Sequence, residues 1–264
     1  MVDTTREFRW LVRLGFAARG LVYLLIGYIA LTASRGDAGP EGAFGWLQAV
    51  PLGTPLLYLA ALGLIGYALF RLASLLFDVE NYGSDGSGVA HRIGHGASAL
   101  AHFALAWTAV QFARGEGRQS SEGGAEAAAA TLVSLPLGSW LLGMVGVGFV
   151  AAAAAQAKGA VTGDFMKRMA ADSPAFVGPL GRAGLAARAV VFLVIGWSLV
   201  RSAWLASSSQ VKTIGEAVGS LASQGLLYTL VAAGLLLFGL FSLCLARYSI
   251  VPPLDPRRIV PSLR

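Results

Sequence analysis

The chain has 264 residues, of which 56% are hydrophobic and 13% are charged, and its mean hydropathy is +0.66. Soluble globular proteins carry about 25% charged residues, so this composition excludes an ordinary soluble domain. The single cysteine, Cys244, excludes an internal disulfide. The net charge is +6, but the sequence has no nucleic-acid-binding motif and no basic patch with interleaved aromatic residues, so no nucleic-acid partner is expected.

Six apolar runs are long enough to cross a bilayer as helices, because a spanning helix needs about 20 apolar residues. They cover residues 14–33, 56–77, 94–113, 139–157, 185–206 and 226–246. The first run is too long for the apolar region of a signal peptide and contains Arg19, so we interpret it as a membrane span. We therefore predict an all-α, polytopic membrane protein with six transmembrane helices.

Basic residues are distributed unevenly between the two sides of this arrangement. The tails and the second and fourth connections hold thirteen basic residues, and the other three connections hold five. Because basic residues near span ends stay in the cytoplasm, we expect both termini to be cytoplasmic. The same residues are suited to anionic phospholipid head groups, which are the expected partners.

One phrase occurs three times in the chain. RLGFAARGLVYLLIGY (residues 13–28) and RAGLAARAVVFLVIGW (182–197) are identical at nine of sixteen positions, and RIGHGASALAHFALAW (92–107) is a more diverged copy. A second span follows each copy and carries Gly63, Gly148 or Gly234 at the matching depth. Between the two spans lies a short segment that we expect to form an interfacial helix, starting at Glu41, Glu126 or Glu216.

The repeated unit is thus helix, outer segment, helix. Because each unit contains two spans, all three units enter the membrane in the same orientation, and we expect a parallel, pseudo-threefold arrangement. The predicted organisation is a cytoplasmic tail (1–12), repeat 1 (13–80), repeat 2 (81–158), a cytoplasmic linker (159–181), repeat 3 (182–248) and a cytoplasmic tail (249–264).

The chain resembles a bacterial family of integral-membrane proteins that contain a domain of unknown function built from three tandem two-helix repeats. The resemblance is carried by ARGLVYLLIG (18–27), ARAVVFLVIG (187–196) and the ARY ending (246–248), and it covers nearly the whole chain. It implies the architecture and a multi-pass location in the bacterial inner membrane, and it supplies no catalytic residues. Copy two departs from the pattern, with Ser98 at the arginine position and His102 at the tyrosine position.

Arg19 and Arg188 lie inside apolar spans, where a cation costs about 2.5–3.5 kcal/mol on insertion scales. One hypothesis is that they reach the cytoplasmic leaflet and bind lipid phosphate or helix-end carbonyls. A second is that they hold an anionic ligand in a cavity on the pseudo-threefold axis, and a third is that they pair with acids of another subunit. The candidate ligand- or phosphate-binding residues are Arg19, Arg188, Tyr23, Arg13, Arg92 and Arg182.

All three histidines lie on the third span. His91, His95 and His102 fall within about 40° of one another around a helix, with Ser98 beside them. This stripe predicts residues that face the bundle: buried histidines bonded to carbonyls or tyrosine hydroxyls, a proton or ion path, or a metal or haem site. His91 and His95 are the weak metal candidates, and no cofactor is expected.

The sequence favours a non-catalytic accessory, scaffolding or lipid-binding membrane protein that associates with other membrane subunits or with itself. The alternative is a transporter or channel for a small anion or a proton, with an axis lined by Arg19, Arg188, Ser98 and His102. A metal- or haem-binding membrane protein is the second alternative. An enzyme is not expected, because no acid, base and nucleophile converge at membrane depth.

The charge distribution generates a test of orientation. Reporter fusions at the C-terminus should be active only in the cytoplasm, and fusions within residues 36–42 should be active only outside. A C-terminus that reports from outside would contradict the repeat alignment, because three two-helix units return the chain to its starting side.

Overall fold

The computed structural model describes residues 4–32, 39–79, 82–83, 85–117 and 124–251. Within these ranges the protein is helical apart from one isolated bridge between Met169 and Ser249. The α-helices, labelled in chain order, are α1 (Thr4–Thr32), α2 (Pro40–Ala49), α3 (Gly53–Phe77), α4 (Gly86–Ala113), α5 (Gly124–Val133), α6 (Gly138–Thr162), α7 (Val177–Trp204), α8 (Ile214–Gly219) and α9 (Leu226–Tyr248).

Five of the described helices are long and apolar enough to cross a membrane. They are the Arg9–Thr32 part of α1 and the whole of α3, α6, α7 and α9. At 28 residues, α4 is also long enough, but it carries all three histidines and does not reach the same hydropathy. An all-helical fold with several helices able to span a membrane is therefore confirmed, and the membrane location and the sixth span stay predictions.

The long helices extend beyond the apolar runs that predicted them. Residues 4–12, expected to be a tail, form the first turns of α1, and α7 begins at Val177 inside the expected linker 159–181. The rest of this linker contains a short 3₁₀ turn at Asp164–Arg168, which the backbone of Ile250 anchors by donating to the carbonyl of Arg168 at 2.9 Å. Most of the tail 249–264 lies outside the described residues.

The long helices contact one another in a cyclic order. Within the first and third repeats, α1 packs on α3 and α7 packs on α9. Between repeats, α3 packs on α4, α6 on α7, and α9 on α1, so the second helix of each repeat contacts the first helix of the next. Among the described residues, α4 and α6 make no comparable contact. The cycle is open between the two helices of the second repeat, so a closed pseudo-threefold bundle stays a prediction.

Glycines set the spacing of the two helices within repeats 1 and 3. A Cβ added to Gly15 would lie 2.6 Å from the Cβ of Tyr67, and one added to Gly184 would lie 2.6 Å from the Cα of Phe238. A Cβ added to Gly63 would lie 2.5 Å from the Cβ of Ala18, and one added to Gly234 would lie 2.4 Å from the Cβ of Ala187. These positions need glycine because the helix backbones approach too closely for any side chain.

The turn before the second long helix accounts for another motif that repeats 1 and 2 share. Pro-Leu-Gly at residues 51–53 recurs at 136–138, and Leu52 and Leu137 have left-handed φ values of 63° and 62°. A Cβ on Gly53 or Gly138 would collide with the carbonyl oxygen of Leu47 or Leu132. The shared sequence therefore encodes a strained turn that redirects the chain into the next long helix.

The outer segments form short helices that pack onto the long ones. In α2 the apolar residues Ala43, Phe44 and Leu47 are buried, as the spacing predicts for an interfacial helix. In α8 the buried residues are Ala217 and Val218, and Thr213 with Glu216 forms a capping box at its start.

The close helix contact in repeat 1 generates a matched test. Replacing Gly63 by Leu should destabilise the protein by about 1–3 kcal/mol or more, because the new side chain overlaps Ala18. Gly148 is the equivalent position in repeat 2, and a Cβ there would meet nothing within 4 Å, so Gly148→Leu is the control. Thermal unfolding of both purified variants measures the difference, and equal melting temperatures would contradict this account.

Candidate functional site

Arg19 is a buried cation surrounded by aromatic rings. Only 6% of its surface is exposed, and its Nη1 donates to the hydroxyl of Tyr67 at 2.6 Å. Its guanidinium carbon lies 4.7 Å from the ring centroid of Tyr67 and 5.1 Å from those of Phe16 and Phe238. Desolvated cation–π contacts contribute about 2 kcal/mol or more, so the rings offset part of the cost of burying the charge.

Tyr67 brings a second arginine into the cluster. Its hydroxyl also accepts from Arg71, whose Nε lies at 2.9 Å and whose Nη2 lies at 2.6 Å. A phenol oxygen has two lone pairs, so the guanidinium groups of Arg19 and Arg71 use its whole acceptor capacity. One buried tyrosine thereby holds two cations at the same point.

Arg188 occupies the corresponding position in the third repeat. Its guanidinium carbon lies 4.4 Å from the ring centroid of Phe238, 4.7 Å from that of Phe192 and 5.2 Å from that of Tyr23. The ring of Phe238 therefore contacts both Arg19 and Arg188, and their positive charges lie close enough to repel each other. Repeat-related arginines converge on one aromatic side chain.

This pair of cations lacks a counter-charge in the part of the chain that the structure describes. The ion pairs found there, Arg114–Glu116 and Lys167–Asp164, involve exposed side chains and neither arginine. The Nε atoms of Arg19 and Arg188 are buried without a hydrogen-bond partner among these residues. The site thus presents unused donors and net positive charge, which is suited to an anion.

A series of contacts leads from this cluster along α4. Arg71 donates from Nη1 to Nδ1 of His95 at 2.9 Å, and since arginine only donates, Nδ1 is an acceptor and His95 is neutral in this geometry. The ring of His95 lies 5.6 Å from that of Tyr82, which stacks on His91 at 4.2 Å. Arg168 in turn donates to the hydroxyl of Tyr82 at 2.5 Å. Polar and aromatic groups therefore connect Arg71 with the connection after α6.

The histidine stripe does not face protein along its whole length. His95 is buried, His102 is half-buried, and His91 is exposed. His102 donates from Nδ1 to the carbonyl of Ser98 at 2.7 Å, and its ring lies 4.5 Å from that of Tyr67. His102 is thus bonded to a backbone carbonyl and packs against the residue that holds Arg19. We expected all three imidazoles to face the bundle, and at His91 that expectation is wrong.

The arginines that open the repeats have different surroundings from Arg19 and Arg188. Arg92 donates from Nε to the carbonyl of Leu75 at 2.8 Å, and Arg182 donates from Nη1 to that of Val161 at 2.6 Å. These are last-turn carbonyls of α3 and α6, which lack partners within their helices and attract cations. Arg13 is half-buried and lies 5.9 Å from the ring of Trp10. Bonds to helix-end carbonyls, which were one hypothesis for Arg19 and Arg188, are thus observed at Arg92 and Arg182.

The described residues contain no group of three or more His, Cys, Asp or Glu side chains placed to hold a metal ion. Of the two metal candidates, His95 accepts from Arg71 and His91 stacks on Tyr82. Their observed contacts are thus with an arginine and a tyrosine.

The outer segments bring two carboxylates close together. Burial raises the pKa of Glu41, and the charge of Glu216 raises it further, while a backbone hydrogen bond lowers it. Because Glu41 and Glu216 are equivalent residues of repeats 1 and 3, this proximity follows from the same packing that brings Arg19 and Arg188 together. Glu126 of repeat 2 is exposed.

Sequence reasoning missed Tyr67, Arg71 and Phe238. Arg71 was counted among the basic residues of a connection, but it lies within α3. The signal that was available is the spacing of four between Gly63, Tyr67 and Arg71, which places them on one face of a helix. The same spacing joins Gly234 to Phe238 in repeat 3.

Comparison with known proteins identifies the three repeats. A family model described as Domain of Unknown Function (DUF1206) matches residues 14–74, 93–163 and 183–249. The chain is also 32% identical over 244 residues to "Uncharacterized protein YxxB" of Bacillus subtilis (strain 168), which covers 88% of this chain and 87% of that protein. No solved structure matches the chain. The chain belongs to the DUF1206 family, with one copy of the family's domain in each of its three repeats.

Proposed function

We propose that this is a non-catalytic membrane protein that binds an anionic group, of the chemistry of a phosphate, at Arg19 and Arg188. The observation that carries the proposal is that both guanidinium groups contact Phe238, have no carboxylate partner among the described residues and leave a buried Nε unused. A bound anion would supply both a negative counter-charge and hydrogen-bond acceptors for the two Nε–H groups.

The contacts of the buried arginines offset only part of the cost of removing their charges from water. Cation–π contacts and a single tyrosine oxygen satisfy part of each guanidinium, and mutual repulsion remains between Arg19, Arg71 and Arg188. An oxyanion accepts several hydrogen bonds at once, and arginine forms them in a planar, two-pronged geometry. Its affinity is increased by the low dielectric of the surroundings.

The direction of the helices determines from which side the anion arrives. Side chains lean toward the N-terminus of their helix, so Arg19 on α1 and Arg188 on α7 lean toward the side from which those helices start. We place both termini in the cytoplasm and the protein in the bacterial inner membrane, with six spans in three parallel repeats. The arginines then reach toward the cytoplasmic leaflet, where anionic head groups are concentrated.

This proposal predicts the effect of removing one guanidinium. Arg19→Gln should weaken anion binding about tenfold or more, because a hydrogen bond to a charged group contributes about 1.5–3 kcal/mol. Arg188→Gln should act in the same direction. Native mass spectrometry in nanodiscs of phosphatidylcholine with phosphatidylglycerol measures retained lipid, and calorimetric titration with inorganic phosphate measures a free anion.

Arg201→Gln is the matched control, because Arg201 is an exposed arginine in the last turn of α7, away from the cluster. Arg19→Lys keeps the charge and loses the planar donor set, so it should bind more weakly than the wild type and better than Arg19→Gln. If Arg19→Gln and Arg188→Gln bind both probes as the wild type does, the proposal is wrong.

A second candidate function is transport of a proton or small anion, favoured by the series of contacts from Arg19 through Tyr67, Arg71 and His95 to Tyr82. In this alternative the axis lined by Arg19, Arg188, Ser98 and His102 conducts, and the histidines change protonation during transport.

The two functions differ in their response to His102→Phe, which restores the aromatic residue of the other repeats. For a binding protein we expect unchanged anion affinity and an unchanged melting temperature. For a transporter the same variant should abolish a pH-dependent flux in proteoliposomes while the protein stays folded. A flux that the wild type shows and the variant lacks would therefore favour transport over binding alone.

A further inference from the structure

The second repeat retains the glycines of the helix contact but does not make the contact. Gly94 and Gly148 correspond to Gly15 and Gly63 of repeat 1. A Cβ added to either Gly94 or Gly148 would meet nothing within 4 Å, whereas the repeat 1 glycines face a neighbouring helix at van der Waals contact or closer. The surfaces that close repeats 1 and 3 are therefore present in repeat 2 but pack against no other helix among the described residues.

These surfaces are two strips of small residues, one on α4 and one on α6, on either side of the gap left by the missing helix contact. On α4 the strip consists of Gly94, Ala97 and Ala101, and on α6 it consists of Gly148, Ala152 and Ala155. All of them are exposed except Ala152, which is half-buried. We call this opening the α4–α6 cleft.

The cleft borders the residues that contact the arginine cluster. At 100° per residue, Ser98 and His102 lie on α4 between the small-residue strip and the face formed by His95 and Ala99, which is buried. His102 contacts the ring of Tyr67, whose hydroxyl binds Arg19. Around α4, the small-residue strip is thus adjacent to His102, which contacts the cluster.

Repeat 2 also has smaller side chains than the other repeats at the positions nearest the arginines. Ser98 stands where repeats 1 and 3 have arginine, and Ala152 stands where they have Tyr67 and Phe238. Two buried polar atoms lack hydrogen-bond partners among the described residues: Oγ of Ser242, a fully buried residue, and Oε1 of Gln156. These two residues align with Arg71.

We infer that the α4–α6 cleft admits an anionic phospholipid sideways from the bilayer, with an acyl chain between α4 and α6 and the phosphate at Arg19 and Arg188. This inference rests on the proposed function and names the source of the anion. The cleft is flanked by exposed Ile93, Leu100 and Met144, a surface that excludes a hydrated anion and accepts an acyl chain.

Charge complementarity distinguishes this occupant from a protein helix. Small residues favour close helix packing, but an apolar helix in the cleft brings no negative charge to Arg19 and Arg188. A phospholipid supplies both an apolar chain for the cleft and an anion for the cluster. A second copy of the chain is the alternative occupant that the experiment must detect.

The test fills the cleft without changing an arginine. Gly148→Phe places a ring where nothing lies within 4 Å, so the protein should fold normally. The control is Ala154→Phe, on the exposed face of α6 about 120° from Gly148. The full-length protein is placed in phosphatidylcholine nanodiscs containing phosphatidylglycerol with a photoactivatable acyl chain, and labelled peptides are identified by mass spectrometry.

We expect phosphatidylglycerol to label α4 and α6 peptides in the wild type and in Ala154→Phe, and labelling to fall about tenfold or more in Gly148→Phe because the ring occupies the chain's space. Titration with inorganic phosphate should give the same affinity in all three proteins. Equal labelling of Gly148→Phe and wild type would overturn the inference, as would equal labelling by a phosphatidylcholine probe.

Two further outcomes have distinct meanings. If Arg19→Gln and Arg188→Gln leave both lipid and phosphate binding unchanged, the proposed function fails. If those variants lose phosphate binding while Gly148→Phe keeps lipid labelling, the function survives and lateral entry is wrong. In a Cys244→Ser background, intermolecular disulfides of Gly148→Cys in native membranes would assign the cleft to a second copy and overturn the lipid inference.

Discussion

The contact between Gly15 on α1 and the backbone of Tyr67 on α3 determines the geometry of the cluster. Because Gly15 has no side chain, α1 approaches until an added Cβ would lie 2.7 Å from the Tyr67 nitrogen. That approach brings Arg19, one turn along α1, within 2.6 Å of the Tyr67 hydroxyl. The same ring then packs on His102 of α4. The spacing of α1 and α3 therefore determines where the buried guanidinium of Arg19 lies.

The cluster holds two buried positive charges because repeat 3 forms the same kind of helix contact as repeat 1. Repeat 3 makes the equivalent contact between Gly184 and Phe238, so Arg188 meets a phenyl ring where Arg19 meets the Tyr67 hydroxyl. Like charges repel more strongly in a buried site than in water, so each guanidinium group opposes the burial of the other. Aromatic faces spread this charge but do not neutralise it. A bound anion between the repeats is the simplest arrangement in which both arginines gain from being buried.

Much of this arrangement was predictable from the repeated phrase. The phrase identified the glycines, the two arginines and the outer helices, because close packing and interfacial burial leave periodic patterns. It did not identify Tyr67, since a tyrosine in an apolar span resembles any buried aromatic residue. The open side of the cycle was equally hidden, because Gly94 and Gly148 match the packed glycines of the other repeats. Whether two such surfaces meet depends on the other helix contacts.

The three repeats differ in the side chains near the arginine cluster and in the contact between their two long helices. Repeats 1 and 3 hold arginine and an aromatic residue at these positions, and their helix pairs pack closely. Repeat 2 holds Ser98 and Ala152 there, and its helix pair is apart. A third arginine at residue 98 would add repulsion to the cluster and occupy the inner end of the cleft. Ser98 therefore keeps the positive charge of the cluster lower than a third arginine would, and in the entry route inferred above the most diverged repeat gives access to the other two.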